Sequence, residues 1–247
     1  MASGASEFAL APDIDVAALR DTFDRTGRVR IAPFLAPEDA DRLLAHLRSR
    51  EDWQLVVRTA QREFEFDSTA RQALGRARLD AVTGLAAPAD SGDFTYVYER
   101  IVASNSADGP FETETLLGRF AAFLTSPLVL ELLRAVTGAA AADFLDAQAT
   151  RYDAGHFLTI HHDKREGSRR LAAYVFGLTQ SWRPEWGGLL LFHDPYGEVT
   201  HGLVPQMNAL NLFSVPQDHS VSLVAPSVPA PRYSVTGWLR QFADADS

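Results

Sequence analysis

The sequence predicts a mainly β fold with a helix-rich N-terminal half, and three observations predict it. From residue 141 onward, short apolar or alternating runs follow one another to residue 239. Turn chemistry separates these runs where helical segments would otherwise stand, so a compact barrel or sandwich is expected and a βαβ fold is not. Apolar residues at helical spacing are confined to the first 140 residues, where they would pack as supports outside the sheet.

Residues 1–14 are expected to be a disordered tail. Residues 15–25 carry Val16, Leu19 and Phe23 at helical spacing and stop near Gly27, and 29–31 read as a short strand. Pro37, Glu38 and Asp39 open a second helix with the apolar stripe Ala40, Leu43, Leu44 and Leu47. Residues 53–57 read as a strand. Residues 67–85 have a helical pattern but are polar, which places them on the outside; 86–93 form a loop. Residues 94–102 alternate as a strand does, with Tyr96, Tyr98 and Arg100 on one face, and 104–109 form a polar turn. Two helices follow, 112–124 and 127–136, the second closing on Gly138. The β half then reads as strands 144–152, 157–161, 171–178, 189–192, 197–204, 209–213, 220–224 and 233–239. With no repeat and no linker, residues 1–247 are expected to form a single domain, 15–140 supporting a β core over 141–240.

The chain has 247 residues, 46% of them hydrophobic and 22% charged, which is the composition of a globular protein with a sizeable core. A net charge of −9 argues against nucleic acid as a partner. The absence of cysteine excludes disulfides and thiolate metal sites. No apolar run is long enough to span a bilayer, and no basic-then-apolar leader opens the chain, so no membrane association is expected and the protein is placed in the cytoplasm. The oligomeric state is left open.

The chemistry centres on His161-His162-Asp163. Residues two apart on a strand share a face, so His161 and Asp163 project together while His162 turns away. An imidazole and a carboxylate so placed can take adjacent positions on one metal ion. A second histidine completes the 2-His-1-carboxylate arrangement of non-haem Fe(II) sites. His219, at the start of a strand, is the chosen third ligand over His156, His193, His201 and the more distant His46. Arg232, opening the last strand, is the group an inward-facing carboxylate anchor requires, and Ser234 shares its face. Trp186-Gly187-Gly188 reads as a turn where backbones approach closely, 164–170 as a charged loop and Trp238 as a core residue.

Tyr152, His161-x-Asp163, Trp182, the run Trp186-Gly-Gly-Leu-Leu-Leu-Phe192, His219-Ser-Val and Arg232-Tyr-Ser-Val-Thr-Gly-Trp238 together resemble the Fe(II)/2-oxoglutarate dioxygenases of the prolyl-hydroxylase-like branch. The resemblance is clearest over 141–240. It implies a double-stranded β-helix (jelly-roll) core, Fe(II) on His161, Asp163 and His219, and the 2-oxoglutarate C5 carboxylate on Arg232 with Tyr152 lining that pocket. It also implies O2 as co-substrate, ascorbate as a supporting reductant and hydroxylation of a prolyl residue or small molecule with release of succinate and CO2. Related halogenases lack the carboxylate ligand, so Asp163 favours hydroxylation. Two departures from the hypoxia-type enzymes stand out: Gly177 replaces a cosubstrate tyrosine, and the stretch from His219 to Arg232 is longer, through Pro226 to Pro231. Two other readings remain beside this one: a non-catalytic, cupin-like metal- or ligand-binding module, and a nucleic-acid demethylase of the same superfamily. The demethylase reading is weakened by the net charge and by Trp238, which stands where that branch carries a second arginine.

Overall fold

The computed structural model describes residues 7–87, 92–104, 111–164, 167 and 169–242. In chain order its elements are α1 (Val16–Thr26), β1 (Arg28–Ile31), α2 (Pro37–Ser49), β2 (Gln54–Arg58), β3 (Glu63–Phe66), α3 (Ser68–Leu74), α4 (Arg76–Gly84) and β4 (Tyr96–Ser104). Then come α5 (Leu116–Leu124), α6 (Pro127–Thr137), β5 (Phe144–Leu145), β6 (Ala147–Tyr152), β7 (Phe157–His161), β8 (Arg170–Gly177), β9 (Leu190–His193), β10 (Val199–Leu203), β11 (Ala209–Ser214), β12 (His219–Val221) and β13 (Arg232–Arg240).

Every strand pairing is antiparallel, and the main path runs β1-β11-β8-β13-β6-β4-β7-β12-β9-β10. The sheet curls so that β7, β12 and β9 face β8, β13 and β6 across a shared interior, as in a jelly roll. Alternation along β13 divides its side chains between two environments. Tyr233, Val235 and Leu239 join the apolar cluster under the helices, while Arg232, Ser234, Thr236 and Trp238 line the interior.

The helices cover the outer face of one sheet. Asp15 caps α1 by accepting the Ala18 amide, and Thr115 caps α5 by accepting from Gly118. Leu43, Leu44 and Leu47 of α2, Phe120 and Leu124 of α5, and Val129 and Leu133 of α6 are buried together with Tyr174, Phe176, Leu210 and Val235 of the sheet. Each such large side chain taken out of water contributes about 1.5–3 kcal/mol before ordering costs. Among the described residues no single helix is long and apolar enough to cross a membrane, and the most apolar pair, α5 and α6, turns its apolar stripes into this cluster.

Several expectations need correction. The supposed tail ends before Phe8, which is buried against Phe120 and Phe123, and Leu10 forms a β-bridge with Leu35. Residues 1–6 lie outside the described residues, as does most of the expected 104–109 turn. An aromatic ring with a cavity to fill outweighs the polar, small-residue composition around it. The N-terminal half is more than an outer support, because β4 sits inside the sheet between β6 and β7. The polar helix expected over 67–85 is two short helices broken at Gly75, neither with a buried residue. Strand β3 was not expected, whereas the strand expected over 53–57 is present as β2, shifted by one residue, with Trp53 just before it buried against Tyr233 at a ring separation of 5.9 Å.

The Trp186-Gly187-Gly188 turn is as anticipated. Gly187 has φ +67°, and a Cβ there would lie 1.9 Å from the Leu223 carbonyl. Gly177 is held to glycine for a different reason: a Cβ would meet the Gln206 carbonyl at 2.3 Å, so no side chain of any kind reaches the interior from this position.

Candidate metal centre and anion pocket

Strand β7 ends at His161 and β12 begins at His219, and the two are Cα partners in the β7–β12 ladder. The next paired residues are Leu158 and Val221, so β7 carries one extra residue between the two pairs. Such a bulge re-aims side chains at a strand end. Here the two rings meet at a centroid separation of 4.1 Å. The chain leaves β7 extended, which exposes His162 and buries Asp163 beside His161, as the two-residue period requires.

The carboxylate closes the group. Asp163 Oδ1 is 3.9 Å from His161 Nε2, and Asp163 Oδ2 is 3.6 Å from His219 Nε2. One ligand atom from each residue falls within 4.8 Å of the others. Both imidazoles are also held from behind. His161 Nδ1 is 3.0 Å from the Thr159 carbonyl, and His219 Nδ1 is 2.9 Å from the Gln217 carbonyl. A carbonyl can only accept, so the ring proton sits on Nδ1 in each case and the Nε2 lone pairs point at the space in front of Asp163. Burial keeps the rings neutral. The His161 pKa is pushed down to about 4 by burial and then by the neighbouring His219, and burial likewise lowers that of His219. Two neutral imidazoles and a carboxylate with converging lone pairs suit a divalent first-row metal.

The rival histidines are elsewhere. His156 spends its Nδ1 accepting the Asp153 amide, His193 bonds the Ser220 hydroxyl and the Gly197 carbonyl, and His201 lies tilted beside the Phe192 ring at 6.2 Å. His46 lies on α2 beside Arg50.

The three residues open into a cavity of about 770 Å³ that runs along the inner face of β4, β6 and β13. Arg232 lies at its wall, 4% exposed and opposite Tyr152 in the β13–β6 register, with its guanidinium 5.1 Å over the Tyr152 ring. Its Nη1 has no hydrogen-bond partner, and among the described residues no carboxylate pairs with it. Burial lowers its pKa from the usual guanidinium value, but arginine stays protonated at neutral pH. A dry, unneutralised cation is costly and calls for an anionic ligand. Ser234 is in the same cavity, its hydroxyl 2.7 Å from that of Thr150. The residues expected from the sequence thus line one cavity: His161, Asp163, His219, Tyr152, Arg232 and Ser234.

Some lining residues were missed. Thr150 and Gln148 follow from the same alternation that turns Tyr152 inward, since residues two apart on β6 share its face. Trp238, expected in the core, is half-buried: it packs against the cluster of Ala173, Leu190, Phe192 and Phe213 and also lines the cavity, with the Arg170 guanidinium 3.5 Å from its ring centroid. Arg170 also donates to the Asp163 backbone carbonyl at 3.2 Å. Much of the expected 164–170 loop lies outside the described residues.

Comparison with known proteins agrees with this geometry. Residues 147–240 match the family model of the 2OG-Fe(II) oxygenase superfamily, a span that contains all three candidate ligands and Arg232. No curated protein sequence matches the chain. Among solved structures, a Pseudomonas putida prolyl-4-hydroxylase aligns over 92% of this chain and 99% of its own, with TM-score 0.58 and 22% identity. An oxidoreductase of the 2OG-Fe(II) oxygenase family from Burkholderia pseudomallei aligns over 92% and 91%, with TM-score 0.62 and 14% identity. A Trichoplax adhaerens prolyl hydroxylase, in complex with a hypoxia inducible factor oxygen degradation domain peptide fragment, aligns over 92% and 89% with TM-score 0.57 and 16% identity. At these identities the structures establish the jelly-roll fold. The family match over residues 147–240 makes the β core, where the candidate site lies, similar to the 2OG-Fe(II) oxygenase superfamily.

Proposed function

We propose that the protein is an Fe(II)/2-oxoglutarate-dependent hydroxylase that oxidises a C–H bond of a prolyl residue or of a small molecule, and that residues 1–247 work as one cytoplasmic catalytic domain. The observation that carries this reading is the buried, unpartnered guanidinium of Arg232 in the same cavity as the His161–Asp163–His219 group. A cupin-like binding module needs a metal group but has no use for a desolvated cation beside it. A hydroxylase does, because one end of a dicarboxylate must be held while the other end reaches the metal.

His161, Asp163 and His219 would hold Fe(II), their Nδ1 protons directed away to Thr159 and Gln217 and their lone pairs converging. Arg232 would grip the distal carboxylate of 2-oxoglutarate, with the Ser234 and Thr150 hydroxyls beside it. Tyr152 forms the wall across from Arg232 and excludes water from that end. Bound Fe(II) with 2-oxoglutarate and O2 supplies the oxidising power, and succinate and CO2 leave as co-products; ascorbate serves to keep the metal reduced. The protein's own contribution is orientation and exclusion of solvent.

The test is succinate release from 2-oxoglutarate by purified protein with Fe(II) and ascorbate, in the presence of proline-rich peptides and free amino acids. Release that His161→Ala and Arg232→Ala both abolish is the expected result. No release, together with no metal-dependent binding of 2-oxoglutarate, refutes the reading.

A further inference from the structure

We propose that the substrate carries an ammonium group and that Glu63 receives it at the mouth of the cavity; the inference rests on the hydroxylase reading above and names the class of molecule that site takes. Glu63 and Glu65 stand two residues apart on β3 and project from the same face, over β2 and toward the inward residues of β4. Their fates differ. Glu65 is neutralised by Arg100, whose Nη2 lies 2.5 Å from its carboxylate. Glu63 has only the Tyr96 hydroxyl, which donates to it in a short hydrogen bond. Arg58 is its partner in the β2–β3 register yet makes no ion pair with it, and no other cation among the described residues does either.

This unneutralised carboxylate borders an aromatic wall. Phe94 packs on the His161 ring at 4.9 Å, Tyr96 on Phe94 at 5.2 Å and Tyr98 on Tyr96 at 5.3 Å. All three rings line the cavity, and Glu63 lies at its edge two ring contacts from the metal group. A ring face and a carboxylate together form a site for an organic cation, through cation–π attraction and a charge-assisted hydrogen bond. Glu63 is exposed and solvated, so an anionic group placed there is repelled and a neutral one gains nothing from its charge, whereas an ammonium is attracted. The Tyr96 hydroxyl fixes the carboxylate, so little ordering remains to be done when an ammonium binds. Burial, and secondarily the bond to Glu63, raise the Tyr96 pKa, so the phenol stays protonated and keeps donating.

The experiment uses the full chain with Fe(II), 2-oxoglutarate and ascorbate, and paired probes in which acetylation removes the charge of one nitrogen. The pairs are L-proline, L-lysine and pyrrolidine against their N-acetyl derivatives, and a proline-containing tripeptide with a free against an acetylated N-terminus. Stimulated succinate release and a product heavier by one oxygen are expected only with the free amines. Glu63→Gln should raise KM for the stimulating amine about 10- to 100-fold, more than it lowers kcat, since the group is placed to bind and not to react. Glu63→Lys should remove stimulation by amines altogether. Calorimetric binding of the same probes, with Mn(II) in place of iron, gives a readout independent of turnover. The proposal is overturned if an acetylated partner serves as well as its amine, if Glu63→Gln leaves KM unchanged, or if no probe binds or stimulates while slow uncoupled succinate release persists. Loss of that uncoupled release and of metal-dependent 2-oxoglutarate binding refutes the underlying hydroxylase reading instead.

Discussion

Thr150 and Ser234 face each other directly across the β6–β13 ladder, and their hydroxyls share one hydrogen bond of 2.7 Å inside the cavity. Each hydroxyl has one proton and two lone pairs, so the pair bonds itself and still has capacity for a ligand oxygen. With the Arg232 guanidinium two residues along the same face, this makes a site for a carboxylate in which the charge comes from one residue and the alignment from two others.

Ser234→Ala leaves the Thr150 hydroxyl buried with one partner fewer. A loss of about 1–2 kcal/mol is expected, seen as a melting temperature lower by roughly 2–8 °C. The KM for 2-oxoglutarate should rise several-fold with the metal affinity unchanged. A fall in metal affinity as well would mean that the serine supports the ligand group and not the anion.

Arg232 predicts opposite signs for stability and binding. Replacing it by Met removes an unpaired buried charge, so the ligand-free protein should melt at the same temperature or higher. Binding of 2-oxoglutarate should weaken by about 2–5 kcal/mol, on the order of 30-fold or more, because the ligand carboxylate loses its buried cation. Thermal unfolding and calorimetry on the same sample check both.

Removal of one metal ligand should abolish metal-dependent stabilisation. The wild-type protein is expected to melt several degrees higher with saturating Fe(II) or Mn(II) than after chelation, as a ligand specific to the native state requires. His219→Ala should show no such difference and no succinate release. Asp163→Ala should do the same, while His162→Ala, whose ring is exposed, should behave as wild type in the metal titration.

Gly177→Ala puts a methyl group 2.3 Å from the Gln206 carbonyl. Strand β8 must then move from its neighbours, at a cost of about 1–3 kcal/mol. Expression with a clearly lowered melting temperature is expected. Unchanged stability would show that the 206–208 turn gives way easily.

Alternation made most of this site legible. Once a strand is assigned, the period of two places His161 with Asp163 and Arg232 with Ser234, and it would have placed Gln148 and Thr150 with Tyr152 too. It does not say which of two faces is the interior. Trp238 shows the difficulty: it is large and apolar, which suggests core, yet it shares a face with Arg232 and lines the cavity beneath Arg170. Phe8 errs in the other direction, a single ring in a small-residue stretch that the space beside Phe120 and Phe123 draws into the core.

By itself the sequence determined the succession of strands and turns, the face shared by residues two apart, the ligand types available in a chain without cysteine, and the family that the motif order resembles. These are local properties, written in neighbouring residues. Only the tertiary structure decided which histidine meets His161, that Arg232 is buried without a counter-ion, and that Glu63 overhangs the cavity from a strand with no strong sequence signal. Each depends on the register between distant strands, and register is set by how the whole sheet curls over its core.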